Sequence, residues 1–175
     1  LPAELNTPLE PWKAWLSRAW MQEETINILQ TDKAITIPRR MAGRYLKVEV
    51  IGTSMDFDCA LSQVSFDAVS SAGEDLCTTT TSHPLMDSIR TVSVETLREC
   101  MQTVYEDGPK RDQRLWAGDL YLQAMANRYS FRNFELTKRC LYLFAALADE
   151  KGVIISNIFE KPTPHPQIGS YMLTY

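Results

Sequence analysis

The sequence predicts an α+β chain, strand-rich in its first part and helical in its second, and three features predict it. Apolar and polar residues alternate in short runs before residue 83, and three- and four-residue apolar spacing takes over from Pro84. Between them lies a turn-rich stretch, so the division falls at residues 1–83 and 84–175.

The opening segment, with Trp12, Trp15 and Trp20, has no clear period. Alternation begins at Ile26 and Ile28, continues at Ile35 and Ile37, and is clearest where Leu46, Val48 and Val50 flank Lys47 and Glu49. Val64, Phe66 and Ala68 repeat it around Ser65 and Asp67. Such strands bury one face and wet the other, as in an antiparallel sandwich. Residues 70–83 then hold Gly73 and the run Thr78-Thr79-Thr80-Thr81, a composition suited to a boundary loop.

Proline is favoured in the first turn of a helix. From Pro84 the residues Leu85, Ile89, Val92, Leu97, Met101 and Val104 predict a helix running to about Tyr105. Gly108-Pro109 must break it, because proline lacks an amide donor and restricts the residue before it. A second helix is expected from about Gln113 to Arg128 and a third from Asn133 to Asp149, with Asn133 as N-cap and Gly152 as stop. The aromatics Tyr121, Tyr129, Phe131, Phe134, Tyr142 and Phe144 recur at helical spacing and read as core. Residues 153–159 read as a short strand, and the proline-rich run 162–166 as a loop.

A chain of 175 residues can bury a real core, and 45% hydrophobic with 23% charged residues is ordinary for a globular protein. A net charge of -4 without a basic run argues against nucleic acid or an anionic membrane as partner. No apolar stretch approaches a membrane span, and Leu1-Pro2-Ala3-Glu4 does not read as a signal peptide. Cys59, Cys77, Cys100 and Cys140 show no metal-ligand spacing, and Cys100 and Cys140 read as reduced core thiols. His83 and His165 each sit beside proline, so no nucleophile–histidine arrangement can be assembled. Neither a phosphate-cradling glycine pattern nor any cofactor is expected. Oligomeric state and compartment stay open. The chain starts without Met and stops within the apolar run Ser170-Tyr171-Met172-Leu173-Thr174-Tyr175, so it reads as a piece of something larger.

The chemistry concentrates between Glu106 and Asp119. There Glu106, Asp107, Asp112 and Asp119 are interleaved with Lys110, Arg111 and Arg114 around Trp116. Clustered carboxylates shift one another's pKa, and an aromatic face beside acids and guanidinium groups suits a sugar ring. If a helix began near Asp112, then Asp112, Trp116 and Asp119 would share one face. Read as ordinary surface charge, the same residues would be a solvated, salt-bridged helix start with Trp116 in the core. Composition alone leaves these two readings about even.

The run Asp107-Gly108-Pro109-Lys110-Arg111-Asp112-Gln113-Arg114-Leu115-Trp116-Ala117-Gly118-Asp119 resembles the signature of α-L-rhamnosidases of glycoside hydrolase family 78. The flanks Val94 to Met101 and Leu120 to Tyr129 are similar too, and the resemblance extends from about Arg39 to the C-terminus. It implies a β-sandwich followed by the first helices of an (α/α)6 toroid, truncated here. It also implies an inverting hydrolase acting on a rhamnose-containing carbohydrate. By position in the motif, Asp112 corresponds to the general acid, and Asp107, Arg111, Trp116 and Asp119 to rhamnose-binding residues.

Two departures qualify the match. Family members often carry Arg-Asp-Glu-Arg, with Glu as the acid, where this chain has Arg111-Asp112-Gln113-Arg114 and one residue fewer before the tryptophan. Gln113 has no titratable proton, which leaves Asp112 as the acid and Asp107 as runner-up. The family's catalytic base is a Glu from a late barrel loop, and Glu106 lies too close in sequence to replace it. The expectation is an acid half-site, inactive or nearly so by itself. Two other readings remain open: a non-catalytic carbohydrate-binding or structural piece, and a helical-barrel glycosidase for another sugar.

Overall fold

The computed structural model describes residues 24–30, 33–37, 39–53, 56, 59–77, 79–109 and 113–158. The chain divides into two units, Leu1–Ala68 and Val69–Tyr175. The expectations for Trp12, Trp15 and Trp20, and for the loop at 162–166, lie outside the described residues.

In the first unit the described residues pair into no ladder, and Leu46, Val48, Val50, Val64 and Phe66 are exposed. Alternation marks which face a strand would bury but does not supply the neighbour whose N–H and C=O groups complete it. The described residues offer these segments no such neighbour. Local ion pairs are present, Arg39 to Glu24 at 3.1 Å and Lys47 to Glu49 at 3.0 Å.

The second unit contains, among its described residues, α1 (Pro84–Cys100), β1 (Leu115–Trp116), α2 (Ala117–Tyr129), α3 (Phe134–Ala146) and β2 (Asn157–Ile158). The α+β class is therefore correct, with the helices in the second part of the chain as expected. Helix α1 starts where Pro84 does: the His83 Nδ1 accepts from the Leu85 N–H, and Asp87 adds negative charge to the first turn. The hydroxyls of Ser88, Thr91, Ser93 and Thr96 bond back to carbonyls four residues earlier, and Leu85, Met86, Ile89 and Val92 are exposed along the same helix. Only Leu97 and Cys100 are buried, so α1 enters the core by its last turn.

That helix ends at Cys100, five residues short of the expected Tyr105. Its terminal carbonyls are claimed from elsewhere. Ser70 Oγ donates to Arg98 O at 2.7 Å, the Gln102 side chain donates to Glu99 O at 3.0 Å, and Glu106 N–H donates to Cys100 O at 2.8 Å. Met101 and Tyr105, both fully buried, close a tight bridge instead of another turn. Their apolar spacing fits a helix equally well, which is why periodicity extends the prediction too far.

Around that bridge sits the core: Leu97, Met101, Tyr105, Leu115, Leu120, Phe131, Leu136, Cys140, Phe144 and Ile158, with Ala72. Strands β1 and β2 pair antiparallel, Leu115 opposite Ile158 and Trp116 opposite Asn157. Helix α3 buries Leu136, Cys140 and Phe144, one full stripe at four-residue spacing. Its N-cap is Asn133, as expected, with Oδ1 accepting from Leu136 N–H at 3.1 Å. The helix stops at Ala146, short of the expected Asp149. Gly152, at φ +77, instead closes the following turn onto Asp149 O. The buried Asn127 both donates to and accepts from the Asn133 backbone, which fixes the turn between α2 and α3.

Of the aromatics read as core, Phe131 and Phe144 are buried, while Tyr121, Tyr129, Phe134 and Tyr142 are exposed. Aromatic residues at helical spacing thus fall on both faces. Cys100 and Cys140 are free, buried thiols, as the sequence implies. Burial pushes both thiols up, Cys100 to about 11.

Candidate active site

The charged run begins as the chain leaves the core. Tyr105 is fully buried, Glu106 is 4% exposed, and Asp107 is half-buried. The Asp107 N–H donates to Arg114 O at 2.9 Å, while its Oδ1 accepts from Arg114 N–H at 3.1 Å. One residue further in, the Gln113 N–H donates to Gly108 O at 3.2 Å. Residues 107–108 and 113–114 are thus tied across the base of a short loop. Leu115 then anchors the returning chain in the core through β1.

Asp112, the expected acid, and Arg111, an expected sugar contact, lie outside the described residues. The expected helix face shared by Asp112, Trp116 and Asp119 does not form. Trp116 belongs to β1 and is the N-cap of α2 with extended backbone (φ −100, ψ 137), and the helix begins only at Ala117. Gln113 is left-handed at φ 54, a conformation that cannot open an α-helix. The Ala117 N–H donates to Ser156 O at 3.0 Å, so pairing with the β2 segment holds the chain extended through Trp116.

Asp119 sits in the first turn of α2, where the helix N-terminus favours negative charge. One turn later on the same face, Gln123 Nε2 donates to Glu106 O at 2.7 Å, bringing α2 against the Glu106–Asp107 segment. After burial, the charges of Glu106, Asp107, Glu99 and Asp119 add to the rise of the Cys100 thiol. Asp107 is therefore tied to Arg114 at the loop base, Glu106 is tied to α2 through Gln123, and Trp116 and Asp119 stand at the β1–α2 junction.

Gln113 and Gln123 carry more of this geometry than the sequence indicates. Gln113 has no catalytic proton to donate, yet it shapes the loop. Gln123 lies in an ordinary helical stretch and has no distinguishing sequence signal. No group of three or more His, Cys, Asp or Glu placed to hold a metal ion occurs among the described residues. No helix among them is long and apolar enough to cross a membrane.

Helices fed by an acid-rich loop next to a short strand pair are what the family comparison places in a glycosidase domain. Residues 74–170 match the bacterial α-L-rhamnosidase six-hairpin glycosidase domain, and residues 1–68 match the N-terminal domain of glycosyl hydrolase family 78 α-rhamnosidases. The chain belongs to this family. Among solved structures it is similar to a rhamnosidase from Klebsiella oxytoca with rhamnose bound, at 40% identity and a TM-score of 0.86 over 99% of this chain. It spans 34% of that protein's chain. No curated protein matches it.

Proposed function

We propose that this chain supplies the general-acid and sugar-binding half of an inverting α-L-rhamnosidase that releases terminal rhamnose. The observation that carries the reading is the tie of Asp107 to Arg114 where the motif returns into β1, with Trp116 and Asp119 following at the start of α2, in a chain 40% identical to a rhamnosidase with rhamnose bound. In this reading residues 1–83 are a sandwich segment and residues 84–175 open the (α/α)6 barrel.

Asp107 and Asp119 accept hydrogen bonds from sugar hydroxyls, Arg111 donates to them, and Trp116 covers the apolar face of the deoxy sugar. Asp112 protonates the departing glycosidic oxygen. A second carboxylate must take a proton from water attacking the opposite face of the ring. Inversion requires the two carboxyls to stand roughly 6.5–9.5 Å apart, to leave room for that water. Glu106 is committed to the core side of the loop and is not assigned this role. The 175-residue chain by itself should therefore bind rhamnose but not hydrolyse p-nitrophenyl rhamnoside, and inverting turnover by the isolated chain would overturn the half-site reading. In the whole protein, Asp112→Asn should lower kcat by about 10²–10⁴-fold and leave rhamnose affinity intact. Unchanged turnover would instead favour a non-catalytic cluster.

A further inference from the structure

We infer that Gln113 is a positioning residue of the sugar site, holding Asp107 in register with the Arg114–Trp116 segment, a role that rests on the rhamnose-binding reading above. Gln113 occupies the left-handed region at φ 54, where a side chain is strained and glycine or asparagine would fit more easily. Strain of this kind persists where the surroundings over-determine it.

What glutamine adds over glycine is reach. Its Nε2 donates to Pro109 O at 2.6 Å while its own N–H donates to Gly108 O at 3.2 Å. One residue therefore holds both carbonyls that follow Asp107. The next rung is the exchange between Asp107 and Arg114, in which the Asp107 carboxylate itself accepts the Arg114 N–H. Past that rung the chain is fixed, with Leu115 fully buried and Trp116 opposite Asn157. Without the Gln113 side chain, Pro109 O loses that donor, and the loop base is left to the Gln113 N–H on Gly108 O and the Asp107–Arg114 rung. The orientation of the Asp107 carboxylate relative to Trp116 then relaxes, so that Gln113 acts through Asp107.

The test is rhamnose titration into the 175-residue chain by calorimetry, at about pH 4 and about pH 7, for wild type, Gln113→Ala and Gln113→Glu. Gln113→Ala should bind about ten-fold more weakly at both pH values, with an unchanged helical circular dichroism spectrum. Gln113→Glu should match wild type near pH 4, where a protonated carboxyl can donate to the Pro109 carbonyl. Near pH 7 it should match Gln113→Ala, because a carboxylate has no proton to give. Each value is taken as a ratio to wild type at the same pH, which divides out the titration common to all three proteins.

Wild-type affinity in Gln113→Ala, or a Gln113→Glu ratio that does not change with pH, overturns the role. Should Gln113→Ala not fold, Gln113→Gly carries the same expectation, since glycine meets this backbone without strain. Amide hydrogen exchange at Gln113 and Arg114 separates the two levels of the proposal. Faster exchange in the variants, with no rhamnose binding by wild type, removes the sugar-site reading and leaves Gln113 as the closure of the loop. Unchanged exchange removes the closure as well.

Discussion

Asn133 joins three segments of the second unit, and replacing it gives a quantitative check on how that unit is held together. Its Oδ1 caps α3 by accepting from Leu136 N–H at 3.1 Å, and its Nδ2 donates to Ser71 O at 2.6 Å, 62 residues away in sequence. Losing the cap costs about 1 kcal/mol. The bond to Ser71, with a partly buried carbonyl left behind, accounts for about 1 kcal/mol more. Asn133→Ala should therefore lose about 2 kcal/mol. Its backbone bonds to Asn127 survive, because the substitution does not touch them. Asn133→Asp keeps the cap acceptor and gains from the helix N-terminus, but turns an oxygen toward Ser71 O, so it should lose less than about 1 kcal/mol. Urea unfolding followed by helical circular dichroism reads this unit, since all helices among the described residues lie within it. The midpoint should shift without a change in slope. A loss under about 0.5 kcal/mol for Asn133→Ala, the range of an uninvolved surface change, would refute the joint role. So would equal losses for the two variants.

Leu115 is fully buried where the loop returns to the core, so Leu115→Ala should destabilise the same transition by about 2–5 kcal/mol; a shift within about 0.5 kcal/mol would place Leu115 outside the core. Trp116→Ala should weaken rhamnose binding by about ten-fold, and unaltered affinity would remove Trp116 from the sugar contacts. Thiol alkylation read by mass spectrometry should modify Cys77 before Cys100 and Cys140. The Cys77 thiol is held low first by its backbone bond to Thr79, then by the Thr79 hydroxyl and Arg90, whereas burial raises the other two; equal rates in the folded chain would contradict this. Burial, then the neighbouring acids, raises the Cys100 thiol from 9.0 to about 11, so the folded state holds its proton more tightly than the unfolded state. The resulting stability, about 3 kcal/mol, is fully present below pH 9 and is lost between about pH 9 and about pH 11. Cys100→Ala should flatten that alkaline decline, and an unchanged pH profile would argue against it.

The helices were largely legible because each carries local signals that tertiary contacts reinforce. Pro84 marks the start of α1, and Asn133 marks the start of α3. Helix ends were less legible, because they depend on distant groups: Ser70 and Ser71 capture carbonyls at the end of α1, and nothing in residues 97–104 announces that capture. The strand pair shows the same limit. Leu115 and Trp116 read as helix until Asn157 and Ile158, some forty residues later, are laid beside them.

For the candidate site, the motif singled out acids and a tryptophan by residue type, and the shared helix face expected for them is not what the backbone shows. A shared helix face would have grouped Asp112, Trp116 and Asp119 by periodicity alone. Asp107, Trp116 and Asp119 instead lie on three different pieces of backbone: the bend at the loop base, a two-residue strand and a first helical turn. Residue types carry the chemistry, so carboxylates and an aromatic face could be recognised from the sequence. Their relative placement is carried by groups without titratable chemistry, namely the left-handed Gln113, the Gln123 amide on Glu106 O, and the Arg114 N–H on Asp107. A search for reactive side chains passes over such residues. In a site whose catalysis would depend on holding acids at fixed distances, they are where small substitutions should have effects out of proportion to their chemistry.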